Sequence, residues 1–182
     1  MPMSADHDDA PDSGADVSAS SNAKSNAGSK SGAKAGFSLS LKGRALRYLA
    51  AREHSRAELE RKLAPHEGTP GQLAQVLDEL QAKDFISEAR VVESVVNRRA
   101  AKFGAARVRH ELLGKGLGAE LVAEAMDGLK ASEVERAREV WRRKFDGLAP
   151  DSAGRAKQMR FLAARGFGSE AIRRAVSTKD DD

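Results

Sequence analysis

The chain has 182 residues, with 31 Lys and Arg against 27 Asp and Glu for a formal charge of +4; 40% of residues are apolar and only 4% aromatic. Without Cys it can carry neither disulfides nor Cys-ligated zinc or iron–sulfur centres, and no apolar run approaches the roughly 18 residues of a membrane span. Sparse β-branched and aromatic residues beside abundant Ala, Arg, Glu and Leu argue against a large β sandwich and predict a soluble, helix-rich, cytoplasmic protein.

Residues 1–36 contain no Leu, Ile, Phe, Trp or Tyr. Such a segment cannot bury enough apolar surface to offset its ordering entropy, so a disordered polar tail is expected. It lacks the apolar stretch of a signal peptide, and Asp6, Asp8, Asp9, Asp12 and Asp16 disfavour a transit peptide. The tail and the acidic end at 178–182 each carry −2, which leaves 27 bases against 19 acids, or +8, in the 141 residues between. A basic core of this kind suggests a polyanionic partner.

Helix punctuation in the core is dense. The first helix is expected from Ser40, with Ala45, Tyr48 and Leu49 on one face. Ser55 and Glu58 have capping-box spacing at the start of a short helix that carries Leu59 and Leu63 and stops at Pro65. Thr69 and Gln72 suggest a second box, opening a helix with Leu73, Val76, Leu77 and Leu80 on its stripe. A long helix from Glu88 to Gly104 follows, bearing Val91, Val92, Val95, Val96, Ala100 and Phe103. Next come a short helix with Val108 and Leu112 and a third with Leu121, Val122, Ala125, Met126 and Leu129. Ser132 opens a last trio: Val134, Ala137, Trp141 and Phe145 on a long helix, then Met159 and Leu162, then Ile172 and Val176. Trp141 reads as a core residue.

The trios repeat at residue level. Residues 112–120 (LLGKGLGAE) lie over 162–170 (LAARGFGSE) at an offset of 50, and Leu59 and Lys62 lie more loosely over Leu112 and Lys115. The expected architecture is all-α: three tandem three-helix, helix-turn-helix-like repeats in an elongated, curved arrangement. The divisions are 37–86, 87–130 and 131–177, with each repeat burying its neighbour's apolar face.

The repeat also explains the Gly114–Gly118 tract, which superficially resembles a phosphate loop. No strand precedes it, and the equivalent Arg165–Gly168 assigns Gly116 and Gly166 to helix ends. His7, His54, His66 and His110 are isolated, and no nucleophile-elbow sequence occurs. Neither an enzyme active site nor a metal or cofactor is expected.

The bases concentrate in the second and third repeats. Arg98, Arg99, Lys102, Arg107, Arg109 and Lys115 are opposed by Glu111 alone, and Arg142, Arg143, Lys144, Arg160 and Arg165 belong to a second basic run. These eleven residues are the candidate partner-binding set, acting by electrostatic docking. Arg provides fork geometry suited to carboxylate and phosphate alike.

In three places, in order, the chain resembles the RecX family, bacterial regulators of the RecA recombinase. Residues 45–59 (ALRYLAAREHSRAEL) follow that family's opening helix and its Ser-x-x-Glu-Leu start to the next. Residues 103–117 (FGAARVRHELLGKGL) follow its aromatic–Gly, Arg-Val, Glu-Leu and Lys-Gly-Leu pattern. Residues 143–145 (RKF) and 160–167 (RFLAARGF) follow its third-repeat runs. Val91 and Val95 stand where the family often has aromatics, and Ala105 stands where it often has Pro. The resemblance covers 41–177 and implies a monomer that binds the RecA filament, touching single-stranded DNA weakly or through RecA. It further implies inhibition of ATP hydrolysis, strand exchange and coprotease function in DNA repair and the SOS response. The residues themselves also admit a stand-alone nucleic-acid-binding protein or a passive helical scaffold.

Overall fold

A computed structural model describes residues 39–177; the expected polar tail at 1–36 and the acidic end at 178–182 lie outside the described residues. Among the described residues all regular structure is helical, in nine α-helices and one 3₁₀ turn.

Helix α1 (Leu41–Ala51) begins at Ser40, whose hydroxyl accepts from the Gly43 N–H. The box that opens α2 (Arg56–Leu63) is complete: Ser55 Oγ accepts from the Glu58 N–H while the Glu58 carboxylate accepts from the Ser55 N–H, each at 3.1 Å. Pro65 does not end the helical path at once, because the chain tightens into a 3₁₀ turn over Ala64–His66.

The second box, expected at Thr69 and Gln72, does not form. Gly71 has φ 85° and ψ −9°, the left-handed geometry of a type II turn after Pro70, and the Gln72 N–H donates to the Thr69 carbonyl. Glu67 caps α3 (Gln72–Ala82) instead, its carboxylate accepting from the Leu73 N–H at 3.1 Å. The Thr-Pro-Gly sequence fits both a box and a turn, and the turn wins because Gly71 takes positive φ without strain.

The second trio is α4 (Glu88–Arg99), α5 (Ala105–Gly114) and α6 (Ala119–Ala131). Helix α4 ends earlier than the expected Gly104. The carbonyls of Ala100 and Phe103, which a continuing helix would use, accept instead from the Arg136 guanidinium at 2.9 and 2.8 Å. The third trio is α7 (Glu133–Arg142), α8 (Ser152–Ala163) and α9 (Ser169–Val176). Helix α7 is also shorter than expected, so Phe145 lies beyond its end and packs T-shaped on Phe161 with centroids 5.2 Å apart. Buried Gln158 fixes the loop that follows, donating to the Gly147 carbonyl at 2.8 Å and accepting from the Ala149 N–H.

Each trio closes on its own apolar cluster. Leu59, Leu63, Leu77 and Leu80 centre the first, Val91, Val95, Leu112 and Val122 the second, and Ala137, Leu162, Ile172 and Ala175 the third. Trp141 is half-buried against the third cluster. Each repeat therefore buries its apolar face within itself and not, as expected, against its neighbour, because three helices already suffice to enclose it.

The duplicated glycine tract ends α5 and α8 in the same way. Gly116 and Gly166 have φ of 77° and 82°. Each left-handed residue donates its N–H to the carbonyl three residues back, Leu113 and Ala163, and the next N–H reaches the carbonyl five residues back, Leu112 and Leu162. These are Schellman turns, and the side chains that follow, Leu117 and Phe167, are buried. Asp84 plays this part between the first two repeats at φ 57°, held by an ion pair to Arg90 at 2.8 Å.

Candidate partner-docking face

The site is assembled by the junctions between repeats. At the first junction the Lys115 carbonyl accepts from the Ser55 hydroxyl. The Lys115 ammonium pairs with Glu58 at 2.8 Å, and Arg52 reaches the same carboxylate at 2.9 Å. Burial pushes the Glu58 carboxyl up, but hydrogen bonds from Arg52, Lys115 and the Ser55 N–H outweigh it and lower the pKa to about 2. Next to this cluster, His54 is buried with Nδ1 3.0 Å from the Arg52 carbonyl, and its pKa is lowered chiefly by burial.

The second junction is a closer backbone contact. The Gly104 N–H donates to the Arg165 carbonyl at 3.0 Å and the Ala106 N–H to the Gly166 carbonyl at 3.2 Å. A side chain on Gly104 would meet the Gly166 carbonyl oxygen at 2.1 Å. Glu133 caps the start of α5 by accepting from the Ala105 N–H at 2.8 Å. Half-buried Arg136 donates to three carbonyls, those of Ala100, Phe103 and Leu129, and burial lowers its pKa.

Docking α5 against the third repeat in this way opens a groove of about 340 Å³. Lys102, Arg143, Lys144 and Arg165 line it with Phe103, Phe161 and Val140. Two further expected bases flank Phe103: the Arg107 guanidinium lies 5.0 Å and the Arg99 guanidinium 5.8 Å from the ring centroid. Arg99 also pairs with Glu111 at 2.8 Å.

The remaining expected residues fall outside this group. Arg98 is exposed and donates to the Ser94 carbonyl of its own helix. Arg109 is exposed and lines a separate cleft at the same junction together with Lys130 and Asp127. Arg142 and Arg160 are exposed. Lys115 belongs to the first junction, with only 13% of its side chain accessible. Sequence reasoning missed Glu133, Arg136 and Gly104 as the residues that position the groove. Only the break in helical pattern at Gly104 hinted at them.

No helix among the described residues is long and apolar enough to cross a membrane, and no cluster there of three or more His, Asp or Glu could hold a metal ion. The fold and this face define a helical-repeat protein built from three three-helix domains. The chain matches the family models for the first, second and third three-helix domains of RecX over residues 42–80, 87–126 and 131–176. It is 57% identical over 144 residues to the regulatory protein RecX of Leptothrix cholodnii, covering 79% of this chain and 92% of that one. Identity to the regulatory protein RecX of Herminiimonas arsenicoxydans is 51%, over 79% and 95% of the two chains. The crystal structure of RecX from Lactobacillus salivarius has the same fold, with a TM-score of 0.62 at 23% identity over 75% of this chain and 92% of that one. The chain belongs to the RecX family of regulatory proteins.

Proposed function

We propose that the protein is a negative modulator of RecA. It binds the RecA filament on single-stranded DNA and inhibits ATP hydrolysis, strand exchange and coprotease function, in the regulation of DNA repair and the SOS response. In this reading it acts in the cytoplasm as a monomer, catalyses nothing itself, and touches DNA weakly or through RecA. Family membership supports the target. The observation that carries the mechanism is the groove at the second junction, where four bases from two repeats converge. Arg98, Arg99, Arg107, Arg109, Arg142 and Arg160 extend the positive surface around it and steer an acidic filament surface toward it. Lys115 serves from a distance by fixing the first repeat to the second.

The test is RecA's single-stranded-DNA-dependent ATP hydrolysis, titrated with the full chain at two salt concentrations. Inhibition well below one protein per RecA is expected, weakening as salt rises. Inhibition only when the protein coats free DNA would replace this reading with DNA binding, and no inhibition at either salt would end it.

A further inference from the structure

The groove at the second junction joins an apolar floor to a charged rim. Phe103 and Phe161 are half-buried beneath it, and Val140 is 7% exposed. On the rim, Lys102 and Lys144 are exposed and have no carboxylate partner among the described residues. The Arg165 guanidinium lies over Phe161, 3.7 Å from the ring centroid, with one long hydrogen bond to the Phe161 carbonyl at 3.4 Å. Only Arg143 has an acidic neighbour, Glu139 at 3.2 Å, and both side chains are exposed.

These contacts discriminate between anions. A nucleobase binds by laying its face on an aromatic ring. Here Arg165 already stacks on Phe161, Phe145 meets that ring edge-on, and Arg107 and Arg99 attend Phe103. A base would have to displace a guanidinium. A carboxylate would not, because a guanidinium stacked on a ring keeps its N–H edge free for a two-point contact. The volume, about 340 Å³, suits one apolar side chain with its flanking backbone and is too small for a whole helix.

We propose that this groove docks an acidic peptide segment, which packs one apolar side chain on Val140 and beside Phe103 and Phe161, needing no open ring face, while its flanking carboxylates pair with Lys102, Lys144 and Arg165. The proposal rests on the reading of the basic face as an electrostatic docking surface, and it narrows that surface to one recognition element. Acidic motifs are read elsewhere by clustered bases in the same manner.

The test is fluorescence anisotropy of the full chain with a short fluorescein-labelled peptide in which Asp and Glu flank a central Leu-Phe pair. The comparison ligands are the same peptide with Ser replacing the pair and an oligothymidylate of equal charge. The Leu-Phe peptide is expected to bind about tenfold or more tighter than either comparison ligand. The double variant Lys102→Glu/Lys144→Glu should lose about tenfold or more of that affinity, and the distant reversal Lys130→Glu should not. Circular dichroism checks that both variants fold, and Val140→Ser supplies a second, uncharged probe of the floor. Equal or tighter binding of the oligonucleotide, indifference to the Leu-Phe pair, or indifference to the double reversal would each overturn the proposal. RecA ATPase inhibition is measured on the same preparations. Inhibition without peptide binding would sink the groove proposal alone, and peptide binding without inhibition would sink only the RecA reading.

Discussion

The carbonyl oxygens of Lys115 and Arg165, fifty residues apart, perform the same task. Each sits just before a left-handed glycine at the end of a repeat's second helix. Each accepts a hydrogen bond from the residue that starts the second helix of the preceding repeat: Ser55 through its hydroxyl and Gly104 through its backbone N–H. The sequence repeat is therefore also an interface repeat, and the glycine turn is both a helix stop and a docking knob. The two junctions differ in chemistry. The first is fastened by side-chain ion pairs and the second by backbone contact.

The backbone contact at the second junction predicts that a side chain at Gly104 is costly where one at an open helical glycine is not. A Cβ at Gly104 would stand 2.1 Å from the Gly166 carbonyl oxygen, so Gly104→Ala must push the third repeat away. A loss of about 2–4 kcal/mol is expected. Gly128→Ala, inside α6 where a Cβ meets nothing within 4 Å, should stabilise by about 0.5–1 kcal/mol. Urea unfolding of the two variants beside the parent checks both signs.

At the first junction the prediction is a pH dependence. The Glu58 carboxyl is held at about 2, below its ordinary 4.5, so its contribution is complete above about pH 4.5 and fades as pH falls toward 2. His54, with its pKa also lowered, adds a loss in the same direction once pH falls below its ordinary 6.5. Glu58→Gln keeps a capping acceptor but removes the charge that Lys115 and Arg52 share. Melts at pH 7 should show a deficit of about 1–2 kcal/mol, largely abolished near pH 2. A deficit of equal size at both pH values would mean that shape, not charge, holds this junction.

What the sequence made legible follows from how local each feature is. Ser40, the Ser55–Glu58 box and the Gly116 and Gly166 turns answer to rules spanning six residues or fewer, and they formed where the pattern put them. Thr69 failed because Pro70 and Gly71 favoured a turn with the same residues. The bases were visible as a compositional run, but their convergence was not. Lys102 and Arg165 share a groove only because Gly104 and Gly166 bring distant segments to backbone contact, and no local spacing encodes that approach. For the same reason nothing in the sequence sets Arg136 apart from the other bases near it. Its three carbonyl acceptors lie in segments that meet only after folding.

Arg136 accordingly behaves as a structural residue. Arg136→Ala leaves the carbonyls of Ala100, Phe103 and Leu129 without this donor and should cost about 2–4 kcal/mol. Arg136→Lys should restore only part of this, because one ammonium cannot span three acceptors that a planar fork reaches together. Equal stabilities for the Lys variant and the parent, by chemical denaturation, would reduce the role of Arg136 to charge alone.

The exposed bases and Lys115 should separate cleanly in function. Arg98, Arg109, Arg142 and Arg160 are exposed and lie outside both the groove and the buried ion-pair cluster. Each acts through water, so a single reversal changes binding by about 0.2–1 kcal/mol, whereas reversing all four accumulates to tenfold or more at low salt. The concentration of protein needed for half-inhibition of RecA ATP hydrolysis should rise accordingly, and the gap from the parent should narrow as salt is added. Lys115→Gln should do the reverse. It weakens the Glu58 cluster and lowers the melting temperature, yet leaves half-inhibition near the parent value wherever the chain is folded. If Lys115→Gln abolished inhibition without loss of stability, the first junction would itself be part of the docking face. If the quadruple reversal left inhibition intact at low salt, steering by the wider basic surface would be excluded and the groove alone would have to carry recognition.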